Sequence, residues 1–189
     1  MEKLIKTLLT IPAVAVATLL LLMVPLVAMQ FTNEVNWGVG DFLVMGALLF
    51  STGTVWVLIL RQSDNMVFRA AMTVAVGATF LMIWANLAVG LIGSGPNPGN
   101  LMYAAVIAVL FVGIYLSHFK AAGLERAMYA TALALVAHTA IALVAGMQYY
   151  PGSSVGEIVG VNLFFMAPFA VAGLLFRFVA LQQASEKSK

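Results

Sequence analysis

The sequence predicts an all-α integral membrane protein with six transmembrane helices and with both termini in the cytoplasm. Hydrophobic residues make up 63% of the 189 residues and charged residues only 8%, whereas about 25% of a soluble domain is charged. A soluble protein of this size has too much surface to hide so many apolar side chains. Six stretches are long and apolar enough to cross a bilayer, and every basic residue falls on one side of them.

Segments with turn chemistry separate the six predicted spans. About 20 mostly apolar residues cross the hydrocarbon core, and six stretches meet this length: 7–29, 42–60, 70–92, 101–119, 127–147 and 158–176. Glycine, proline and asparagine concentrate in the connecting segments 30–41, 93–100 and 148–157. We expect three helical hairpins in one transmembrane domain, 1–180, followed by a short cytoplasmic tail, 181–189. The first stretch is longer than the core of a secretory signal, so we expect it to be retained.

Lysine and arginine set the predicted orientation. All nine precede the first span or follow the second, fourth and sixth spans, while the opposite segments carry acidic residues and no basic ones. The positive-inside rule places the basic side in the cytoplasm. A cysteine introduced at Ser94 or Ser153 is therefore expected to react with an impermeant reagent outside the cell, and one at Ser63 is not.

Two parts of the chain resemble a group of small polytopic proteins of the bacterial inner membrane. The first part is Trp84–Gly93 continuing into Asn97–Tyr103, and the second is Val35–Trp37 followed by Asp41–Phe42. The resemblance covers most of the chain and implies a multi-pass protein of the bacterial inner (cytoplasmic) membrane. The group is uncharacterised, so the resemblance implies no activity, cofactor or site.

His138 is the ionisable residue that lies deepest in a predicted span. It follows Arg126 by twelve positions, which places it near the middle of the bilayer at 1.5 Å per residue. Alanines at multiples of four residues from it predict that this face packs against another helix: Ala130, Ala134 and Ala142. The imidazole is interpreted either as a proton relay, haem ligand or ligand-binding group, or as a neutral group bonded across a helix interface. Its expected partner is Asn86 or Asn162, from a neighbouring helix.

The other polar groups of the spans concentrate in their outer halves. With the histidine they form a candidate intramembrane polar site: His138, Asn86, Trp84, Asn162, Asp41, Tyr103 and Asn100. Asp41 and Asn100 are capping-type residues that are expected to open the second and fourth helices. An outward-facing crevice would use these groups, since an unpaired amide in hydrocarbon costs several kcal/mol. Alternatively, the two intramembrane asparagines only bond neighbouring helices together.

Several chemistries have no signature in the sequence. Cysteine is absent, which excludes disulfides, thiolate metal sites and cysteine nucleophiles. Hydrolase, metalloprotease and phosphate-binding motifs are missing, so an enzyme is not favoured and no cofactor is predicted. The basic residues are scattered, which excludes a nucleic-acid partner. His118 lies at the end of the fourth span, so its depth does not match that of His138 for haem ligation.

Three functional classes remain. An accessory or structural membrane protein, which packs with itself or with other membrane-protein subunits, needs no buried charge and is favoured. A small solute or proton carrier would use the outward-facing crevice. An intramembrane redox or haem protein would need more candidate ligands than the chain offers. The lipid bilayer is the partner expected in all three classes.

Overall fold

The computed structural model describes residues 2–93 and 97–188. These residues form α-helices, one 3-10 helix and connecting turns, with no strand among them. The α-helices are α1 Glu2–Ala28, α2 Val39–Gln62, α3 Met66–Ala88, α4 Pro98–Ser117, α5 Ala121–Val144 and α6 Val155–Lys187. All six are long and apolar enough to cross a membrane, which confirms the predicted number of membrane-length helices. The middle of segment 93–100, including Ser94, lies outside the described residues.

The N-caps of α2 and α4 lie three residues before the expected capping residues. Gly38 and Asn97 occupy the N-cap positions in place of Asp41 and Asn100. The Oδ1 atom of Asn97 accepts the N–H of Asn100 at 3.2 Å. Pro98 follows as the first helical residue, where its fixed φ suits a helix and its missing N–H costs nothing. Asn100 therefore lies in the first turn of α4, and its side chain bonds to the loop that precedes the helix.

The chain divides into two compact units, Met1–Asp64 and Asn65–Lys189, a division that we did not predict. The first unit contains α1 and α2, which pack directly against each other. A Cβ added at Gly53 would lie 2.9 Å from Cγ1 of Val14. Glycine therefore lets the two helices approach closely at this position.

In the second unit, α3 packs mainly on α6, α6 on α5, and α5 on α4, whereas α3 and α4 share few contacts. A Cβ added at Gly113 in α4 would lie 2.8 Å from the Cβ of Ala127 in α5, so these helices pack closely. The Phe68 ring near the start of α3 meets the Phe176 ring late in α6 edge to face, with centroids 5.4 Å apart. Neighbouring helices are thus antiparallel, and the ends of α3 and α5 lie beside the beginnings of α4 and α6.

One face of α5 supplies much of the core of this unit. It carries Leu124, Met128, Thr131, Leu135, His138 and Ala142. His138 is 3% exposed, which confirms the predicted interior orientation. The prediction that the alanines spaced by four residues share this packed face is wrong for two of them, because Ala130 is exposed and Ala134 is only half-buried. Steps of four residues drift away from a 3.6-residue turn, whereas the alternating steps of four and three follow it.

α6 is 33 residues long, or roughly 50 Å at 1.5 Å per residue. The hydrocarbon core of a bilayer is about 30 Å thick. The helix continues to Lys187, through most of the segment that we predicted to be a tail. This segment is therefore helical over residues 181–187, and its cytoplasmic location stays a prediction.

Candidate functional site

Two polar clusters lie at one end of the second unit, where α3 and α5 end and α4 and α6 begin. The asparagine cluster consists of Asn86, Asn97 and Asn100, and the imidazole cluster consists of Tyr103, His138 and Asn162. The start of α4 contributes to both, because Asn100 belongs to the first cluster and the Gly99 carbonyl contacts His138. In the predicted orientation this is the outer end of the unit.

Asn100 ties the loop after α3 to the first turn of α4. Its Oδ1 atom accepts the N–H groups of Leu91 at 2.7 Å and Ile92 at 2.9 Å. Its Nδ2 atom donates to the Ile92 carbonyl at 3.2 Å, and Asn97 Nδ2 donates to the same carbonyl at 2.7 Å. Leu91, Ile92 and Asn100 are all buried. The two amides therefore satisfy backbone groups that water does not reach.

Asn86 and Gly90 complete this arrangement. The Nδ2 atom of Asn86 donates to the Asn100 carbonyl at 3.0 Å, which joins α3 to α4. Its Oδ1 atom is shielded from solvent and accepts no hydrogen bond from the described residues. Gly90 has a φ of +78°, and an added Cβ would lie 2.6 Å from Nδ2 of Asn100. Glycine therefore lets the chain turn tightly over the Asn100 side chain.

The imidazole cluster joins α4, α5 and α6 inside the protein. The Tyr103 and His138 rings lie 4.2 Å apart between centroids, with their planes tilted by 39°. The Tyr103 hydroxyl donates to Oδ1 of Asn162 at 3.2 Å. Asn162 Nδ2 donates to the Ile158 carbonyl of its own helix at 2.8 Å. Exposure of these three side chains is 3% or less, so the cluster is closed to solvent.

The contact between His138 and Gly99 fixes the tautomer of the imidazole. Nε2 lies 3.3 Å from the Gly99 carbonyl oxygen. Because a carbonyl only accepts hydrogen bonds, Nε2 carries the proton in the neutral ring and Nδ1 is an acceptor. Nδ1 is buried and has no partner among the described residues. Of the two alternative partners that we expected, Asn86 does not bond this ring, since its amide bonds to the Asn100 carbonyl instead. Asn162 lies in the same buried cluster as the ring.

The clusters contain five of the seven predicted site residues: Asn86, Asn100, Tyr103, His138 and Asn162. Trp84 lies apart from them, 40% exposed and parallel to Phe80 with ring centroids 6.5 Å apart. Asp41 lies in the first unit, where its Oδ2 atom accepts the N–H of Gly38 at 2.8 Å. The carboxylate thus stabilises the start of its own helix.

Sequence reasoning missed Asn97, Gly90 and the Gly99 carbonyl. A signal for Asn97 was present, because asparagine directly before proline is typical of a helix start. Glycine just beyond a helix end, as at Gly90, is likewise typical of a left-handed turn. The Gly99 carbonyl has no sequence signal, since almost every residue carries the same acceptor.

The described residues contain no group of three or more histidine, aspartate or glutamate side chains placed to hold a metal ion. His118 follows the end of α4, and His138 contacts its beginning. The 20 residues of α4 separate these two points by roughly 30 Å. One haem iron cannot bind both histidines across this distance, which confirms that their depths do not match.

Comparisons of the chain with models of protein families, with curated proteins and with solved structures each give no match. The resemblance to bacterial inner-membrane proteins therefore stays a prediction.

Proposed function

We propose that this chain is an accessory or structural protein of a bacterial inner-membrane assembly, which packs with other membrane-protein subunits or with a second copy of itself. One observation carries the proposal. In the described part of the second unit, the buried polar groups bond mostly to one another or to their own helices, and they form no polar route through the bundle. Such groups stabilise a packed scaffold.

The core between His138 and the opposite end of the second unit is apolar. Its large buried side chains are Leu124, Met128, Leu135, Phe169 and Phe176. The described buried polar side chains in this stretch are Thr131 and Ser117, which donate to carbonyls of their own helices at 2.9 and 2.6 Å. Carriers of protons and ions line their pathways with polar and ionisable groups. The apolar core therefore favours a structural role.

α6 offers a face on which a partner helix would pack. Gly156 and Gly160 are exposed and four residues apart, and an added Cβ at Gly160 would have no atom within 4 Å. Small residues at this spacing let transmembrane helices approach closely. Leu163 and Phe164 continue the same face and are 51% and 64% exposed. This face supports association with another helix.

A small carrier that takes up a solute or a proton from the outer side is the second candidate. His138 favours it, because Nδ1 is a buried acceptor without a partner among the described residues. Ionisable groups inside a membrane often mark such pathways. In this role Nδ1 would accept the proton or a hydrogen bond from the solute.

Photo-cross-linking of the full-length chain in its native membranes tests the accessory role. A photoreactive residue at Leu163, on the exposed face of α6, is compared with one at Leu133, which is 67% exposed on α5. We expect a discrete cross-linked species from Leu163 and a weaker one or none from Leu133. If Leu163 gives no discrete species, the proposal fails. Proton or solute flux in liposomes that is lost in His138→Gln would then support the carrier.

A further inference from the structure

Arg126 on α5 and Arg177 on α6 are exposed cations near the end of the second unit that is opposite the two polar clusters. No described residue forms an ion pair or a hydrogen bond with either guanidinium group. A guanidinium group is a planar set of N–H donors that fits a carboxylate or a phosphate through two parallel hydrogen bonds. Both arginines are therefore open to an anion from outside the chain.

The two arginines lie at nearly the same depth along the bundle. A Cβ added at Gly173 in α6 would lie 2.7 Å from Cε1 of Tyr129 in α5, so the two helices touch at this level. Arg126 precedes Tyr129 by three residues. Arg177 follows Gly173 by four. Because α5 and α6 are antiparallel, both steps lead towards the same end of the unit, by about 4.5 and 6 Å.

The two arginines also lie on the same side of the α5–α6 seam, the line along which these helices touch. Arg126 is rotated from Tyr129 by about 60° around α5. Arg177 is rotated from Gly173 by about 40° around α6. In an antiparallel pair these two rotations lead to one side of the seam. The half-buried Glu125 is rotated from Tyr129 in the other sense, so its carboxylate lies on the opposite side.

The side of the seam that carries the arginines faces away from the rest of the unit. Leu133 and Leu174 lie on it and are 67% and 59% exposed. The other side is packed, since Phe176 is buried and its ring meets the ring of Phe68 in α3. The arginines therefore border an apolar surface that acyl chains can contact.

Arg177 lies at the depth of a lipid headgroup. It follows Val155, the first residue of α6, by 22 positions, or roughly 33 Å along the helix. The hydrocarbon core is about 30 Å thick, so a helix that enters it near Val155 leaves it near Arg177. The exposed Leu133 and Leu174 lie on the hydrocarbon side of the arginines. In the predicted orientation the arginines lie in the cytoplasmic leaflet.

We propose that Arg126 and Arg177 together bind the phosphate of an anionic phospholipid, whose acyl chains lie along the α5–α6 seam. The two guanidinium groups supply N–H donors and two positive charges, which match a headgroup of net negative charge. A zwitterionic lipid has the same phosphate, but its own ammonium group is repelled by the arginines. The proposal goes beyond the accessory role and does not rest on it.

Native mass spectrometry of the full-length protein in an uncharged detergent tests the site. Phosphatidylglycerol and phosphatidylcholine with identical acyl chains are offered at equal concentration. Each arginine should favour phosphatidylglycerol roughly fivefold, which is the usual contribution of one basic residue to the binding of anionic lipid. We therefore expect the wild type to bind phosphatidylglycerol roughly 25-fold more tightly.

Neutral variants locate the site. Arg126→Gln and Arg177→Gln should each lower the preference roughly fivefold. Arg69→Gln is the matched control, because it removes one charge at the same end of the unit, but Arg69 follows Phe68, which contacts α6 from the packed side. This variant should retain the preference. Neither Arg126 nor Arg177 bonds to a described residue through its side chain, so both variants should unfold at the wild-type temperature in detergent without lipid.

Equal binding of the two lipids by the wild type overturns the proposal without any variant. A preference that either Arg126→Gln or Arg177→Gln retains in full overturns the joint site. An equal loss in Arg69→Gln would indicate attraction by the net charge of the protein, and it overturns the site as well. Inorganic phosphate distinguishes a free anion from the lipid. If it removes the preference while sodium chloride of the same ionic strength does not, the site binds free phosphate and the lipid assignment is wrong.

Discussion

His138 Nε2 lies 3.3 Å from the carbonyl oxygen of Gly99, so one imidazole joins the last third of α5 to the first turn of α4. The same ring lies against the tilted ring of Tyr103, with centroids 4.2 Å apart, so it also contacts the next turn of α4. A histidine in this position can stabilise the helix interface without any further role. Substitutions of His138 distinguish this structural role from a functional role of the imidazole.

His138→Gln should retain most of the stability of the protein, because the glutamine amide can donate to the Gly99 carbonyl in place of Nε2–H. His138→Phe keeps a ring against Tyr103 but removes the hydrogen bond to the Gly99 carbonyl, which retains its bond within α4. We expect the free energy of unfolding to fall by about 0.5–1.5 kcal/mol in the phenylalanine variant and by less in the glutamine variant. Reversible unfolding in mixed micelles measures both.

The glutamine variant also tests the accessory role. If the histidine only packs, His138→Gln should give the cross-linked species at Leu163 in wild-type yield. A glutamine variant that is as stable as the wild type but gives no cross-link would show that the imidazole is needed for more than packing.

Asn100→Ala should loosen the loop after α3. The change removes the acceptor of the Leu91 and Ile92 N–H groups, which are buried. A buried donor without a partner costs about 1–3 kcal/mol, so we expect a loss of at least that size in the free energy of unfolding. Asn36→Ala is the control, because Asn36 is exposed in the first unit and should change stability by less than about 0.5 kcal/mol. Equal effects of the two changes would contradict the assigned role of Asn100.

Gly90→Ala and Gly77→Ala should have opposite effects. At Gly90 the φ of +78° and the 2.6 Å approach to Asn100 Nδ2 both oppose a Cβ, so we expect a loss of more than about 1 kcal/mol. At Gly77, inside α3, an added Cβ meets no atom within 4 Å. Alanine is favoured there by up to about 1 kcal/mol from helix propensity. The unfolding midpoints of the two variants give the comparison, and a neutral Gly90→Ala would refute the tight turn.

A double-mutant cycle on Tyr103 and Asn162 should give a favourable coupling energy. The Tyr103 hydroxyl donates to Asn162 Oδ1 at 3.2 Å, and both side chains are buried. Hydrogen bonds between transmembrane helices contribute about 0.6 kcal/mol on average. We therefore expect Tyr103→Phe and Asn162→Leu to be less than additive by about that amount in unfolding free energy. Strict additivity would mean that the bond does not contribute to stability.

Cysteine labelling tests the predicted orientation, and the structure improves the choice of positions. Ser153 is a poor probe because its hydroxyl oxygen is buried. Tyr149 is 84% exposed at the end that we predict to be outside, and Asp64 is exposed in the loop between α2 and α3. In intact cells, Tyr149→Cys should react with an impermeant maleimide and Asp64→Cys should not. The reverse pattern would invert the topology. The native chain has no cysteine, so background labelling is absent.

Part of the site could be predicted because buried polar residues and helix starts have recognisable local sequence patterns. A histidine or asparagine within an apolar span must avoid lipid, and His138 and Asn162 are indeed buried. The burial of Trp84 could not be predicted in this way, since tryptophan is common both at membrane interfaces and inside proteins. Its exposed position therefore had to come from the structure.

The sequence by itself determined the six membrane-length helices, because spanning a bilayer depends on a local property, the length of an apolar run. Tertiary structure alone decided which helices meet, such as α3 with α6 and α4 with α5. It also decided that His138 bonds to a backbone carbonyl of α4, while Asn86 bonds to the next one. Every helix has several faces and every residue has a carbonyl, so the sequence does not specify which of them meet. The helix pairs and the bonded carbonyls depend on how each helix is rotated and shifted along its neighbours. Packing of the whole unit sets this rotation and this shift.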